Sequence, residues 1–234
     1  MTITALIPAA GTGRRMEATI NKQYLELAGR PVLARTLAIF EQHPAIDHIL
    51  IVAPADEVAY CQREIVERYG LSKVTAIIAG GDERQDSVRN GLRACTTAAA
   101  DDLILIHDGA RPLLSASLID AIIAAARVNG ACLAAVPVKD TIKRVENGQA
   151  LDTPDRSQLW LAQTPQAFHY ALIASAHERA VNDRFRATDD AQLAERDGHP
   201  VAVVMGSYRN IKITTPDDLP VAAALLSAEG TNLP

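Results

Sequence analysis

The run Pro8-Ala9-Ala10-Gly11-Thr12-Gly13-Arg14-Arg15-Met16, with Lys22 six residues further on, holds residue types that could handle a phosphate chain. Alanines and glycines let a backbone approach a ligand closely and turn its N–H groups toward phosphate, while Arg14, Arg15 and Lys22 supply positive charge. Immediately before it, Ile3 to Ile7 is a short apolar run bounded by Pro8, which predicts a buried strand and puts the motif in the loop at that strand's carboxyl end. The chemistry this suits is that of a nucleoside triphosphate. A dinucleotide fingerprint would need a third glycine where Met16 stands, and the Gly-Lys-Ser/Thr of a Walker loop is absent. A plain glycine turn with surface arginines is the bland alternative, weakened by Lys22-Gln23-Tyr24 as a second basic element within reach.

The rest of the chain must position that loop. Ile49 to Ala53, Val74 to Ile78, Leu103 to His107, Cys132 to Val136 and Val201 to Met205 are short, apolar and β-branched, and helical patterns lie between them near 32–42, 56–69, 85–95 and 115–128. Such alternation predicts a doubly wound α/β fold with a mostly parallel twisted sheet and right-handed crossovers, its ligand at the carboxyl ends of the strands. Asp108 and Gly80 stand at such ends too. The stretch from Pro137 to Trp160 breaks the alternation: it is polar, alternates through Thr141, Ile142, Lys143, Arg144 and Val145, and has a hairpin signal at Asn147-Gly148. A two-stranded excursion has no core of its own and needs something to lie on, unless it is simply a long surface loop. Beyond it, Tyr170 to Val181 and Asp189 to Arg196 read as helices, the second capped by Thr188, and Thr215-Pro216-Asp217-Asp218 opens a last helix with proline at its first position.

Bulk properties narrow the class. With 234 residues and 48% hydrophobic composition, the chain can bury a sizeable core, and one domain over 1–234 is expected. A net charge of -5 argues against nucleic acid or a membrane surface as partner. Three scattered cysteines and six histidines without ligand spacing suggest neither disulfides nor structural zinc, and no signal peptide or membrane span is recognisable, so a cytoplasmic enzyme is expected.

The first motif together with NKQYLELAGRPVL, GGDERQDSV at 80–88, HDGARP at 107–112, VKDT at 138–141, DRSQLW at 155–160, TPQAF at 164–168, ATDDA at 187–191 and NIKIT at 210–214 resembles the 2-C-methyl-D-erythritol 4-phosphate cytidylyltransferases in order and spacing. One departure is Gly109, where the family more often has alanine, which would loosen the turn. The resemblance implies a Rossmann-like three-layer sandwich with a protruding β-arm at about 137–160 that reaches across a homodimer. It also implies transfer of CMP from CTP to 2-C-methyl-D-erythritol 4-phosphate with release of pyrophosphate, with Mg²⁺ as cofactor.

What the resemblance implies residue by residue follows the same motifs. Arg15 and Lys22 contact the triphosphate and stabilise the transition state, while Lys212 holds the attacking phosphate. The nucleotide is held by Pro8, Ala9, Ala10, Gly11, Gly13, Gly81, Asp82 and Ser87, with Arg84 fixing the loop. Arg111, Thr164 and Thr188 serve the second substrate, and Thr141 and Arg156 come to it from the arm. Asp108 would be repelled by phosphates unless a cation intervened, and Mg²⁺ can take a single protein carboxylate, so Asp108 is the expected metal ligand as well as a substrate contact; an Asp capping the next segment is the plain alternative. His107 is expected to be structural, because a phosphate monoester needs no base near pH 7. Ribitol 5-phosphate is the alternative acceptor, and a silent nucleotide-binding module on the same fold is the alternative from another class.

Overall fold

The six residues Ile3–Pro8 (β1), apolar except for Thr4, form an interior strand of a seven-stranded sheet in the computed structural model. The structure describes residues 1–11 and 21–230, so Gly13, Arg14 and Arg15 lie outside the described residues, as does the side chain of Lys22. A small ladder, Glu26–Leu27 (β2) with Arg30–Pro31 (β3), leads into Val32–Gln42 (α1). His48–Ala53 (β4), a helical segment that starts as Val58–Tyr60 (α2) and continues with π-type bonding over Cys61–Glu67, and Val74–Ala79 (β5) follow. Then come Arg84–Ala94 (α3), Leu103–Ile106 (β6), Ala116–Asn129 (α4) and Ala131–Pro137 (β7).

The sheet order is β11-β7-β10-β6-β1-β4-β5, where β10 is Trp160–His169 and β11 is Ala202–Met205. All neighbours are parallel except β10, which runs antiparallel between β6 and β7. This strand was not legible beforehand. Gln163, Thr164, Pro165 and Gln166 interrupt its apolar character, and the ladder to β7 slips between Ala162 and Gln166, where a proline is tolerated because no ladder donor is needed.

Both faces of the sheet are covered, as the unbroken apolar strands require. Ala5 and Ile7 of β1 pack with Leu33 and Leu37 of α1 and Ile119 of α4, while Leu6 points the other way to Val88 of α3 and Ile173 of Tyr170–Asn182 (α5). The result is the Rossmann-like three-layer sandwich expected.

The arm is a hairpin of Arg144–Glu146 (β8) and Gln149–Asp152 (β9), closed at Asn147 (φ 49°) and Gly148 (φ 78°), the left-handed pair that a two-residue turn demands. Every residue from Lys139 to Thr153 is exposed, so the hairpin lies on nothing in its own chain.

Two helix starts differ from expectation. Asp190–Arg196 (α6) is capped by Asp189, whose Oδ1 accepts from Gln192 N at 3.0 Å, while Thr188 N donates to Gln192 Oε1 at 2.8 Å. The last helix, Asp218–Gly230 (α7), begins after Pro216, because Asp218 Oδ2 collects the N–H groups of Thr214 and Thr215 at 2.7 and 2.8 Å and holds them in a turn. No helix among the described residues is long and apolar enough to cross a membrane.

Candidate active site

β1 lies where the winding reverses: the chain runs from β1 outward to β4 and β5, then returns to β6 on the other side. Open sheets leave a crevice at the carboxyl ends of strands at such a point. A cavity of about 770 Å³ opens there, walled by Pro8 to Gly11, Gln23, Pro54, Ala55, Gly80 to Arg84, Ser87, Asp108, Ala110 and Lys212.

Each wall is tied to a strand end. Ala9 N donates to Val52 O at 2.7 Å and Gly80 N to Ala53 O at 2.8 Å. Gly80 is required by this approach, since a Cβ there would come within 2.4 Å of Ala10 Cβ and 3.0 Å of Ser87 Oγ. Gly81 N donates to Ser87 Oγ at 3.1 Å, which turns the Gly80-Gly81 loop over the first turn of α3. Gly109 is likewise tight: its Cβ would meet Leu33 Cδ1 at 3.0 Å and Ala9 Cβ at 3.1 Å. Glycine in place of the family's more frequent alanine therefore lets Ala9 and Leu33 pack closely on the turn.

Asp108 sits at the end of β6 at the cavity floor, and protein cations surround it. Arg84 Nε donates to its Oδ1 at 3.0 Å, Lys212 Nζ lies 2.7 Å from Oδ2, and Arg111 Nε lies 3.8 Å from Oδ2. Burial alone would raise its pKa, but Arg84 and Lys212 outweigh that and hold the carboxyl far below the usual range. Within the chain itself, the charge of Asp108 is matched by Arg84 and Lys212. Lys212 comes from an irregular segment held in place by its neighbours. Ile213 N donates to Ala110 O at 2.9 Å, Arg111 Nη1 to Asn210 O at 2.7 Å, and the fully buried Asn210 Nδ2 to Thr164 O at 2.8 Å.

Behind Asp108, hydrogen bonds fix a direction. His107 Nε2 lies 3.0 Å from Arg111 O, so it must carry the proton, and Nδ1 then accepts from the Thr164 hydroxyl at 3.1 Å; that hydroxyl accepts in turn from Asp108 N at 3.1 Å. Only a neutral His107 satisfies this, and burial lowers its pKa to about 4. It is structural, as its chemistry suggested.

The family model for 2-C-methyl-D-erythritol 4-phosphate cytidylyltransferase matches residues 3–228. The chain belongs to that family. A relative of that name from Syntrophotalea carbinolica is 56% identical over 98% of this chain and 98% of its own, and one from Geobacter metallireducens is 56% identical over 97% and 98%. Among solved structures, the 4-diphosphocytidyl-2C-methyl-D-erythritol synthase from Anaerococcus prevotii superposes with a TM-score of 0.83 at 36% identity, covering 97% of this chain and 96% of that one. The 2-C-methyl-D-erythritol 4-phosphate cytidylyltransferase from Thermus thermophilus gives 0.78 at 35%, covering 97% and 100%. As a cytidylyltransferase family member the chain is a nucleotidyltransferase.

Against that identity the residues named from sequence divide by location. Pro8, Ala9, Ala10, Gly11, Gly81, Asp82, Arg84, Ser87, Asp108 and Lys212 line one cavity, and Lys22 begins the short helical turn Lys22–Tyr24 whose Gln23 also lines it. Arg111 and Thr164 stand behind Asp108, the latter only 4% exposed and turned inward. Thr188 is exposed at the start of α6. Thr141 and Arg156 lie on the arm, where Arg156 Nη1 donates to Lys139 O at 2.9 Å. Neither arm residue lines the cavity within this chain.

Several wall residues were not singled out from sequence, among them Gln23, Pro54, Glu83 and Ala110. Their only signal was proximity to a motif. For Mg²⁺, the described residues contain no group of three His, Cys, Asp or Glu side chains that could cage an ion. One carboxylate at the cavity floor does fit a cation that brings its other ligands as phosphate oxygens and water.

Proposed function

We propose that the protein transfers CMP from CTP to 2-C-methyl-D-erythritol 4-phosphate, yielding 4-diphosphocytidyl-2-C-methyl-D-erythritol and pyrophosphate. The observation that carries this is Lys212 facing Asp108 in the cavity walled by the Ala9-Ala10 and Gly80-Gly81 loops. A free oxygen of the acceptor's phosphate attacks the α-phosphorus of CTP; the new P–O bond forms as the bond to the bridging oxygen breaks, and pyrophosphate leaves with that electron pair. Two anions must meet, so the chain's work is positioning and charge stabilisation.

Lys212 would hold the acceptor phosphate, with Asp108 fixing its ammonium, and Arg15 and Lys22 would take up charge on the triphosphate. Ala9, Ala10, Gly81, Asp82 and Ser87 would hold the nucleotide, and backbone carbonyls or a carboxylate can select cytosine's exocyclic amine over uracil's oxygen. Asp108 would hold Mg²⁺ together with the phosphates, and the ion when bound would neutralise phosphate charge. Thr141 and Arg156 would complete the site of a second subunit. Exposed Val145, Leu151, Trp160 and Leu161 on and beside a hairpin without a core support an arm that crosses a homodimer. The expected setting is the cytoplasm.

The test is pyrophosphate release from pure protein, CTP and Mg²⁺ with each candidate polyol phosphate. Methylerythritol phosphate should be preferred. Equal or better turnover of ribitol 5-phosphate would reassign the acceptor, and no release with either would remove the transfer.

A further inference from the structure

The ATDDA motif points from sequence to Thr188, yet the residue in it that the cavity depends on is Asp190. Asp190 is 1% exposed. Its Oδ2 accepts from Arg84 Nη1 at 2.7 Å and its Oδ1 from His177 Nε2 at 3.1 Å, with His177 itself fully buried. Arg84 therefore lies between two carboxylates, giving Nη1 to Asp190 and Nε to Asp108 Oδ1, while Lys212 holds Asp108 Oδ2. Burial alone would lower the pKa of Arg84, and the two carboxylates more than reverse it.

We propose that Asp190, anchored by His177, is a positioning residue that keeps Arg84 on one oxygen of Asp108 and so reserves the other for Lys212. A guanidinium and a carboxylate left to themselves pair side-on through two parallel N–H bonds. That pairing would occupy both oxygens of Asp108 and release Lys212. The fork beside Nε is completed by Nη2, and Asp190, by holding Nη1 on the other side, resists the turn of the guanidinium that would bring Nη2 onto Oδ2. It cannot follow Arg84 if the fork turns, because His177 holds its second oxygen and because α6, on which it lies, is strapped to β10: Gln166 Oε1 accepts from Ala191 N at 2.9 Å and Gln166 Nε2 donates to Asp189 Oδ2 at 2.8 Å. Nothing about Thr188, exposed on the same turn, supplies this hold.

The kinetic part of the test rests on the transfer proposed above. Asp190→Asn should lower kcat/KM for the polyol phosphate about 10–100-fold, the range that loss of a supporting hydrogen bond behind a functional group typically produces, with KM for CTP little changed. In a Lys212→Ala background the same substitution should add nothing, since the group it positions is gone; a merely structural role would multiply the losses. The second part is independent of activity. Reductive methylation followed by peptide mass spectrometry should modify Lys212 faster in Asp190→Asn than in the parent. If Asp190→Asn does not fold, the same measurements on His177→Phe, in which Asp190 keeps its charge and loses its anchor, decide the matter. Multiplying losses, or an unchanged labelling rate at Lys212, would overturn the proposal, whereas a parent that releases no pyrophosphate but shows the labelling change would overturn the transfer alone.

Discussion

Lys212 Nζ and Asp108 Oδ2 lie 2.7 Å apart at the floor of the cavity, joining the end of β6 to a segment near the C-terminus. The ammonium is about one-third exposed and the carboxylate mostly buried. Such a pair leaves the lysine's remaining N–H groups free for an incoming phosphate while its position is set from below.

Asp108→Asn should therefore act twice. It removes the counter-charge of three cations, and turnover should fall roughly 10²-fold, the scale for loss of a preorganised electrostatic element. If Asp108 also holds Mg²⁺, the loss should be steepest at low Mg²⁺. Rate measured against Mg²⁺ concentration separates the two: curves for variant and parent that differ only in height would remove the metal role and keep the lysine one.

Arg15→Ala and Lys22→Ala should each lower turnover by about 10²-fold or more with little effect on folding. The basis is three cations around a glycine loop in a chain of net charge -5. Near-normal turnover of both variants, with parental circular dichroism, would remove these residues from the chemistry.

His107 should make folding sensitive to mild acid. Its folded pKa is depressed to about 4 by burial, while the unfolded chain takes up that proton near 6.5, so the unfolded state binds more protons in between. Stability from this group is complete above pH 6.5 and is lost as pH falls toward 4, by about 3 kcal/mol in all. Denaturant titrations at pH 7.5 and 4.5 should record the drop, and His107→Gln should flatten it; an unchanged slope would assign the acid sensitivity elsewhere.

Two glycines should fail in different ways when changed to alanine. At Gly91 the added methyl would meet Leu6 Cδ1 at 2.4 Å inside the core, and stability should fall by roughly 1–3 kcal/mol. At Gly80 the clash is with Ala10 in the cavity wall, so KM for CTP should rise about tenfold with a smaller change in stability. Thermal midpoints and CTP titrations on both variants distinguish a binding glycine from a packing one.

If the arms cross a two-fold dimer, Arg156→Ala and Lys22→Ala proteins, each nearly inactive, should complement when mixed. A heterodimer then has one site with both defects and one with neither, so random exchange restores roughly a quarter of all sites by isologous geometry. Subunit exchange verified by mass spectrometry without recovery of activity would mean that Arg156 serves its own subunit or none.

From the chain alone, the doubly wound order, the parallel strands and the hairpin at Asn147-Gly148 were legible, because buried parallel strands are unbroken apolar runs and a two-residue turn needs particular residues. The loops that wall the cavity were legible for a similar reason: close backbone approach at strand ends demands small residues. β10 was hidden, since the buried polar side chains Gln163, Thr164 and Gln166 find their partners only in the folded sheet. The partners of Arg84 and Asp190 were hidden as well. A sequence cannot say which carboxylate a cation will face, whereas the fold brings α3, β6, α6 and the Lys212 segment to one point and lets burial strengthen whichever pairs meet there.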